Sequence, residues 1–425
     1  MTRPIPTALA AARAISDGSL TAEALVRACL ERIEAREPFV HAWIHLASEA
    51  ALAEARALDK QAGGGLLKGI PIGVKDIIDT ADMPTAYGST LYAGHRPIRD
   101  ASCVALSRSA GAIILGKTVT TEFAYYEPGA TANPHNADHS PGGSSSGSAA
   151  AVGDGMVPLA FGTQTAGSII RPASFCGCVG YKPSYGTLDL TGVRPLAVSL
   201  DTLGVMAADV ADAAFYVSVL ASRPALRVDG KTLEKPRIGL WRTFEWDEAE
   251  PAMQAKFIET AERLKKAGCI VKDLALPSPF DTLAKAQWAI MAFEAARAVH
   301  PEMRVAPDKV SAIMRAYVED GRAVSIDDYD AYKARKQEGL AVFNDAMGDL
   351  DVVLTLGAQG EAPAGLSATG DPIFNRIWTL LGTPCITLPC GVGAHGLPLG
   401  VQIVGRVGND AQMLAAAAWI EQTLN

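Results

Sequence analysis

The stretch 141–172, PGGSSSGSAAAVGDGMVPLAFGTQTAGSIIRP, constrains this chain more than any other part of it. Two clusters of Gly, Ser and Thr flank 156–161, a short apolar run that reads as a buried strand. The first cluster sets Ser144, Ser145 and Ser146 between Gly143 and Gly147. The second, 162–168, puts a serine directly before Ile169 and Ile170, where a helix opens. Small residues at Ala166 and Gly167 leave backbone N–H groups unobstructed, and a helix start adds positive dipole. A serine hydroxyl beside such donors has what acyl transfer requires, a nucleophile and a nest for the oxyanion it creates. A flexible linker, the other reading of a Ser/Gly run, fits poorly, because 149–152 and 156–161 are apolar and draw the run into the core.

Two short matches compete. The run GAIILGKT at 111–118 fits the phosphate-loop pattern G-x-x-x-x-G-K-[ST]. A phosphate loop, however, is a bend with converging N–H groups, set between a strand and a helix, and A-I-I-L favours the strand itself. A buried strand ending in a Gly turn is the expectation, with nucleotide binding through Lys117 as the reading from another class. The run GSSSG at 143–147 fits the nucleophile elbow G-x-S-x-G, which needs a strand directly before it, yet 131–141 is polar and broken by proline. Only His300 and His395 come after it, one before a proline and one in a Gly-rich turn. Without a histidine, lysine is the alternative base, and it must be neutral, which burial favours. Lys75, among Ile70, Ile72, Val74, Ile77 and Ile78, is the candidate. A strand lysine pointing to solvent is the commoner fate, and the residues alone leave the two even.

Segments of this chain resemble the amidase signature family. Its GGSSGGSAAAV pattern is met at 142–152, its G-[ST]-D-x-G-G-S at 162–168, and its P-A-x-F-C-G-x-x-G-x-K-P-[ST] tail at 172–184. The resemblance covers about 69–186, and more loosely the rest up to the C-terminus. It implies that Lys75, in GVKD, is the catalytic lysine and Ser168 the nucleophile. Ser144 would relay the proton between them, after a cis Gly143–Ser144 bond. The N–H groups of Thr165, Ala166, Gly167 and Ser168 would form the oxyanion hole, and Ser145 would support the lysine by a hydrogen bond. Two residues depart from the family pattern: Gln164 stands where aspartate is usual, and Ala166 where glycine is usual. Arg171, one helical turn past Ser168, has two readings. It pairs with a structural acid, or it clamps a substrate carboxylate, as in the malonamidase-type amidases that the chain resembles in this offset. The loop-rich 357–378 is expected to form a pocket wall, with Phe374, Asn375 and Trp378 facing the acyl group.

Apolar residues make up 49% of 425 and charged residues 20%, ample for a core, and a net charge of −8 argues against nucleic-acid binding. No run of about eighteen apolar residues suggests a membrane span, and 2–16, broken by Arg13, reads as a short helix rather than a signal peptide. Seven cysteines without zinc-site spacing read as buried thiols of a cytoplasmic protein. Thr21 is a helix cap for a face of Leu25, Cys29 and Ile33, 120–139 reads as surface loops, and 281–348 as almost entirely helical. The expected fold is a single α/β domain over 1–425. Its large, mixed, mostly parallel central sheet is covered by helices on both faces, and 209–350 is a mostly helical insertion. The expected activity is hydrolysis of a small carboxamide through a serine acyl-enzyme, with no metal and no cofactor. The partner is the amide substrate, with a homodimer kept in view as the assembly. Ureide hydrolysis of the biuret or allophanate type is a neighbouring alternative, as is a role as the amidase subunit of a tRNA-dependent amidotransferase. The second would want a longer chain and a basic surface. A catalytically dead scaffold is disfavoured by the intact Lys75, Ser144 and Ser168.

Overall fold

In the computed structural model, which describes residues 5–231 and 234–425, the short apolar runs pair into one eleven-stranded sheet. The strands are β1 (Trp43–Leu46), β2 (Pro71–Lys75), β3 (Ile113–Thr118), β4 (Leu159–Gln164), β5 (Val179–Lys182) and β6 (Thr202–Ala207). They continue as β7 (Arg237–Leu240), β8 (Ile270–Asp273), β9 (Val352–Leu356), β10 (Cys385–Val392) and β11 (Pro398–Val404). Their order is β1-β3-β2-β4-β6-β5-β10-β11-β9-β7-β8. Every residue of β2, β3, β4, β5, β6, β9 and β11 is buried. Successive strand side chains point to opposite faces, so burial throughout means that helices cover both.

The sheet is mixed, but it is not mostly parallel. The parallel pairs β3–β2–β4 and β8–β7–β9 lie towards the two flanks. The six other pairings, which make up the centre and the β1 edge, are antiparallel. A continuous apolar run identifies a buried strand without giving its direction, which is why the expectation erred here.

The parallel flank positions the site. With Ile72 opposite Leu159 and Gly73 opposite Ala160, the carboxyl ends of β2 and β4 emerge on one side of the sheet, carrying Lys75 and 163–168 together. That is where open α/β sheets hold their ligands. The helix Ser146–Asp154 starts just after Ser144 and is entirely small or apolar up to Asp154. A side chain at Gly147 would stand 2.2 Å from the carbonyl of Ala42 and 2.4 Å from the N–H nitrogen of Val119, so glycine lets this helix seat against the β1–β3 edge.

Elsewhere the pattern-based elements form much as read. Thr21 caps the helix Ala22–Val40 by accepting from the Ala24 N–H at 3.1 Å, with Leu25, Cys29 and Ile33 buried. The N-terminal helix is Ala8–Asp17, and residues 2–4 of that reading lie outside the described residues. Within 209–350, β7 and β8 belong to the main sheet, and the unbroken helical part is Phe280–Ala298, His300–Val305, Ala312–Ala323 and Ile326–Met347. The loop 120–139 is not confined to the surface: Thr120, Thr121, Glu122, Phe123 and Ala124 are buried. The run 111–118 contains β3, and its Lys117 is wholly buried, paired with Asp76 at 3.0 Å and donating to the Ile78 carbonyl at 2.8 Å. It is a strand and not a phosphate-binding bend. Among the described residues no helix is long and apolar enough to cross a membrane.

Candidate active site

Lys75 closes β2 with no exposed surface. Its Nζ donates to Ser144 Oγ and to Thr163 Oγ1, each at 2.8 Å. Unlike Lys117, whose partner is a carboxylate, Lys75 meets two neutral hydroxyls. Burial therefore pulls its amine down from 10.5 to about 7, against a smaller upward pull from Asp201. An amine near 7 is substantially unprotonated at neutral pH, which a proton acceptor must be. The solvent-facing alternative is thereby removed. The Gly143–Ser144 peptide is cis.

The contact with the lysine expected of Ser145 falls to Thr163. Ser145 Oγ lies instead on the Thr163 backbone, donating to its carbonyl and accepting from its N–H at 3.3 Å each. Ser145 thus holds the strand that presents the Thr163 hydroxyl. The sequence reading missed Thr163, although it occupies the second position of the GTQTAGS run.

The loop after β4 is pinned on every side while its N–H groups stay available. Gln164 explains how the chain dispenses with the usual aspartate: its Oε1 accepts from the N–H groups of Ile169 and Ile170 at 2.9 and 3.1 Å. An amide oxygen thus caps the helix Ile170–Cys176, while its Nε2 donates to Thr379 Oγ1 at 2.9 Å. Thr379 in turn donates to the Ala166 carbonyl at 2.6 Å, and Gln287 Nε2 to the Thr165 carbonyl at 2.9 Å. The Thr165 hydroxyl donates to Asp201 at 2.6 Å. Asp201 also accepts the Leu196 and Ala197 N–H groups, and burial lifts its carboxyl to about 6. Among the described residues, no hydrogen bond uses the N–H of Ala166, Gly167 or Ser168. Unclaimed donors beside a serine are what an oxyanion would occupy.

Ser144, Thr165, Ala166, Ser168 and Arg171 line one small cavity of about 20 Å³, little more than one water. Arg171 is 3% exposed, yet its partners are the Thr369 carbonyl at 2.9 Å, Thr369 Oγ1 at 3.3 Å and the Gly143 carbonyl at 2.7 Å. Among the described residues its Nη1 has no partner. Asp371, the acid on the neighbouring loop, pairs with Arg376 at 3.0 Å instead. A buried guanidinium without a carboxylate contact carries an unmet cost that an anion would relieve. The structural-acid reading of Arg171 therefore finds no support.

Phe374, Asn375 and Trp378 do not face this cavity. Trp378 is fully buried in an aromatic cluster, with ring centroids 5.1 Å from Trp241 and 5.4 Å from Phe343. Phe374 is core. Asn375 supports from behind: it donates to the Gly357 carbonyl at 3.1 Å, and its Oδ1 would sit 2.4 Å from a side chain at Gly167, so only glycine fits there. Apolarity and a loop-rich setting did not separate wall from core. The segment's contribution to the wall is Thr369 and Pro372. Ala124, Tyr125, Tyr126, Leu196 and Met291 complete it, and none of the five was singled out by the sequence. The adjacent tyrosines in a polar loop were the one visible signal, and Tyr125 stacks on Tyr317 of the helical part at 4.2 Å.

The family model described as Amidase matches residues 24–414. The chain is 34% identical to a glutamyl-tRNA(Gln) amidotransferase subunit of Chloroflexus aggregans, over 96% of this chain and 94% of that one. Among solved structures, one described as an amidase superposes with a TM-score of 0.90 at 29% identity, covering 99% of this chain and 100% of the other. A substrate complex of 6-aminohexanoate cyclic dimer hydrolase gives 0.89 at 25%, covering 99% and 97%. The peptide amidase of Stenotrophomonas maltophilia gives 0.82 at 27%, covering 98% and 96%.

Proposed function

The chain belongs to the amidase family and is an amide hydrolase, and from that premise we propose how its residues divide the work. Ser168 Oγ attacks the carbonyl carbon, and the N–H groups of 165–168 receive the developing oxyanion. Ser144 takes the proton from Ser168 and passes its own to the neutral amine of Lys75. The same relay, run backwards, protonates the nitrogen as the C–N bond breaks, releasing ammonia from a primary amide. Water then adds to the acyl-enzyme, gives its proton to the same relay, and the carboxylic acid leaves. No step draws on a metal or a cofactor.

The observation that carries this reading is the buried lysine held between two hydroxyls at 2.8 Å, with its amine brought to about 7. Arg171, its Nη1 unpartnered at the cavity wall, supports a substrate bearing a carboxylate. The test is ammonia release from malonamate, simple aliphatic amides, aryl amides, ureides and glutamine by the parent, Ser168→Ala and Lys75→Ala. Both variants are expected to fold and to lose turnover, and retained activity in either removes that residue from the mechanism.

Glutamine stands in the panel because of the second reading, an amidotransferase subunit, which the relatives' names favour. Against it, the alignment to the Chloroflexus aggregans protein runs over 461 positions for a chain of 425 residues, so that relative carries segments this chain lacks. Glutamine as the best substrate would favour the subunit reading, and a ureide the biuret or allophanate one. A cytoplasmic location and a homodimer belong to the same proposal. Seven buried cysteines, none of them in a disulfide, support the first, and size-exclusion chromatography with light scattering tests the second.

A further inference from the structure

A second cavity, of about 210 Å³, lies against the first and shares Ala124, Thr165 and Leu196 with it as a common wall. Its lining is largely apolar: Leu190, Val193, Pro195 and Val198 join those residues, with Thr163 and Asp201 also contributing. Arg194 also lines it; its guanidinium pairs with Glu302 at 2.8 Å and lies over the rings of Tyr87, Tyr92 and Phe123, and among the described residues only its Nε lacks a partner. Asp201 is likewise committed, to Thr165 and to two backbone N–H groups. The chamber therefore offers apolar surface and few free polar groups. Apolar cavities of about 150 Å³ hold benzene, so this one has room for a phenyl ring or a short alkyl chain.

Its place relative to the reacting atoms fixes what enters it. Arg171, Thr369 and Pro372 line only the first cavity, whereas Leu190, Val193 and Val198 line only the second. Of the loop 165–168, Ala166 and Ser168 line the first cavity, and Thr165 lines both, so the two meet at the loop's start. A substrate with its carboxylate at Arg171 and its scissile carbonyl at that loop directs its other substituent, the one on nitrogen, into the apolar chamber. We propose that this chamber binds the N-substituent of the substrate, so that the enzyme prefers secondary amides with an acidic acyl part and an apolar amine part. The inference rests on the amide-hydrolysis reading of the same site. The bond balance is unchanged: the Ser168 O–C bond forms, the C–N bond breaks, and the nitrogen takes the relayed proton and departs as a primary amine. Water then frees the carboxylate.

The test is kcat/KM for a series of malonamates: unsubstituted, N-methyl, N-butyl and N-benzyl. Each buried methylene is expected to raise kcat/KM about fourfold, equivalent to about 0.8 kcal/mol, until the chamber is full. Val193→Trp and, separately, Leu190→Trp fill the chamber, and each is expected to collapse the N-benzyl to unsubstituted ratio towards one. That ratio is read on whatever fraction folds, so a loss of stability does not obscure it. A flat series, or a ratio untouched by both variants, overturns the proposal, as does the same gain from an apolar group placed on the acyl side. In each of those results malonamate is still cleaved, so the amidase chemistry stands. No turnover of any amide would instead overturn the reading of the site.

Discussion

Replacing Arg171 separates a substrate contact from a structural one, because the side chain makes bonds of both kinds. Three of its hydrogen bonds are internal, to the Thr369 carbonyl and hydroxyl and to the Gly143 carbonyl. Arg171→Ala strands these buried acceptors at about 1–3 kcal/mol each, so thermal stability falls, and turnover falls for every substrate because Gly143 precedes the relay serine. The unpartnered Nη1 adds an effect confined to acidic substrates. A hydrogen bond to a charged group contributes about 1.5–3 kcal/mol, or roughly ten- to a hundredfold in kcat/KM. The assay is kcat/KM for malonamate and for a neutral amide of matching length, in the parent, Arg171→Ala and Arg171→Lys. Malonamate is expected to lose that additional factor in the alanine variant. The lysine variant should lie between, since it restores the charge without the planar fork. Equal factors on both amides would refute the clamp.

Two further outcomes come from the hydrogen bonds around the loop. Gln164→Leu removes the cap from the Ile169 and Ile170 N–H groups, costing about 1–3 kcal/mol for each buried donor left unpaired, to be read by denaturant unfolding; unchanged stability would contradict the capping role. Thr163→Val deletes an acceptor that favours the charged form of Lys75, so the midpoint of the rising limb of kcat/KM against pH should move to lower pH; a move to higher pH would contradict the assignment.

What was legible in the sequence is what acts locally. The run 156–161 announced β4, Thr21 announced its helix, and the family pattern singled out Lys75, Ser144 and Ser168, of which the first two are in hydrogen-bond contact. What depends on pairing was not legible. Apolar runs could not give the antiparallel majority of the sheet, since strand direction is set by partners distant in the chain. The pocket wall suffered likewise: Met291 arrives from a helix more than a hundred residues after Ser168, while Trp378, expected in that wall, turns into an aromatic core. Gln164 was seen as a departure, but its capping role needed the geometry of Ile169 and Ile170.

The mechanism depends on a base that is uncharged because it is buried, and the pH dependence of Ser168 acylation reports on that base. Single-turnover acylation by a neutral amide avoids titration of the substrate. The rate is expected to rise with pH about a midpoint near 7, reaching about a tenth of its plateau one pH unit below. Stability should rise over the same range and beyond, because the folded amine titrates below the unfolded one: the cost of burying it is full below about 7 and is relieved as pH climbs to 10.5. An acylation rate that is flat from pH 5 to 9, or that rises only near the 10.5 of an ordinary lysine, would show that Lys75 is not the uncharged base.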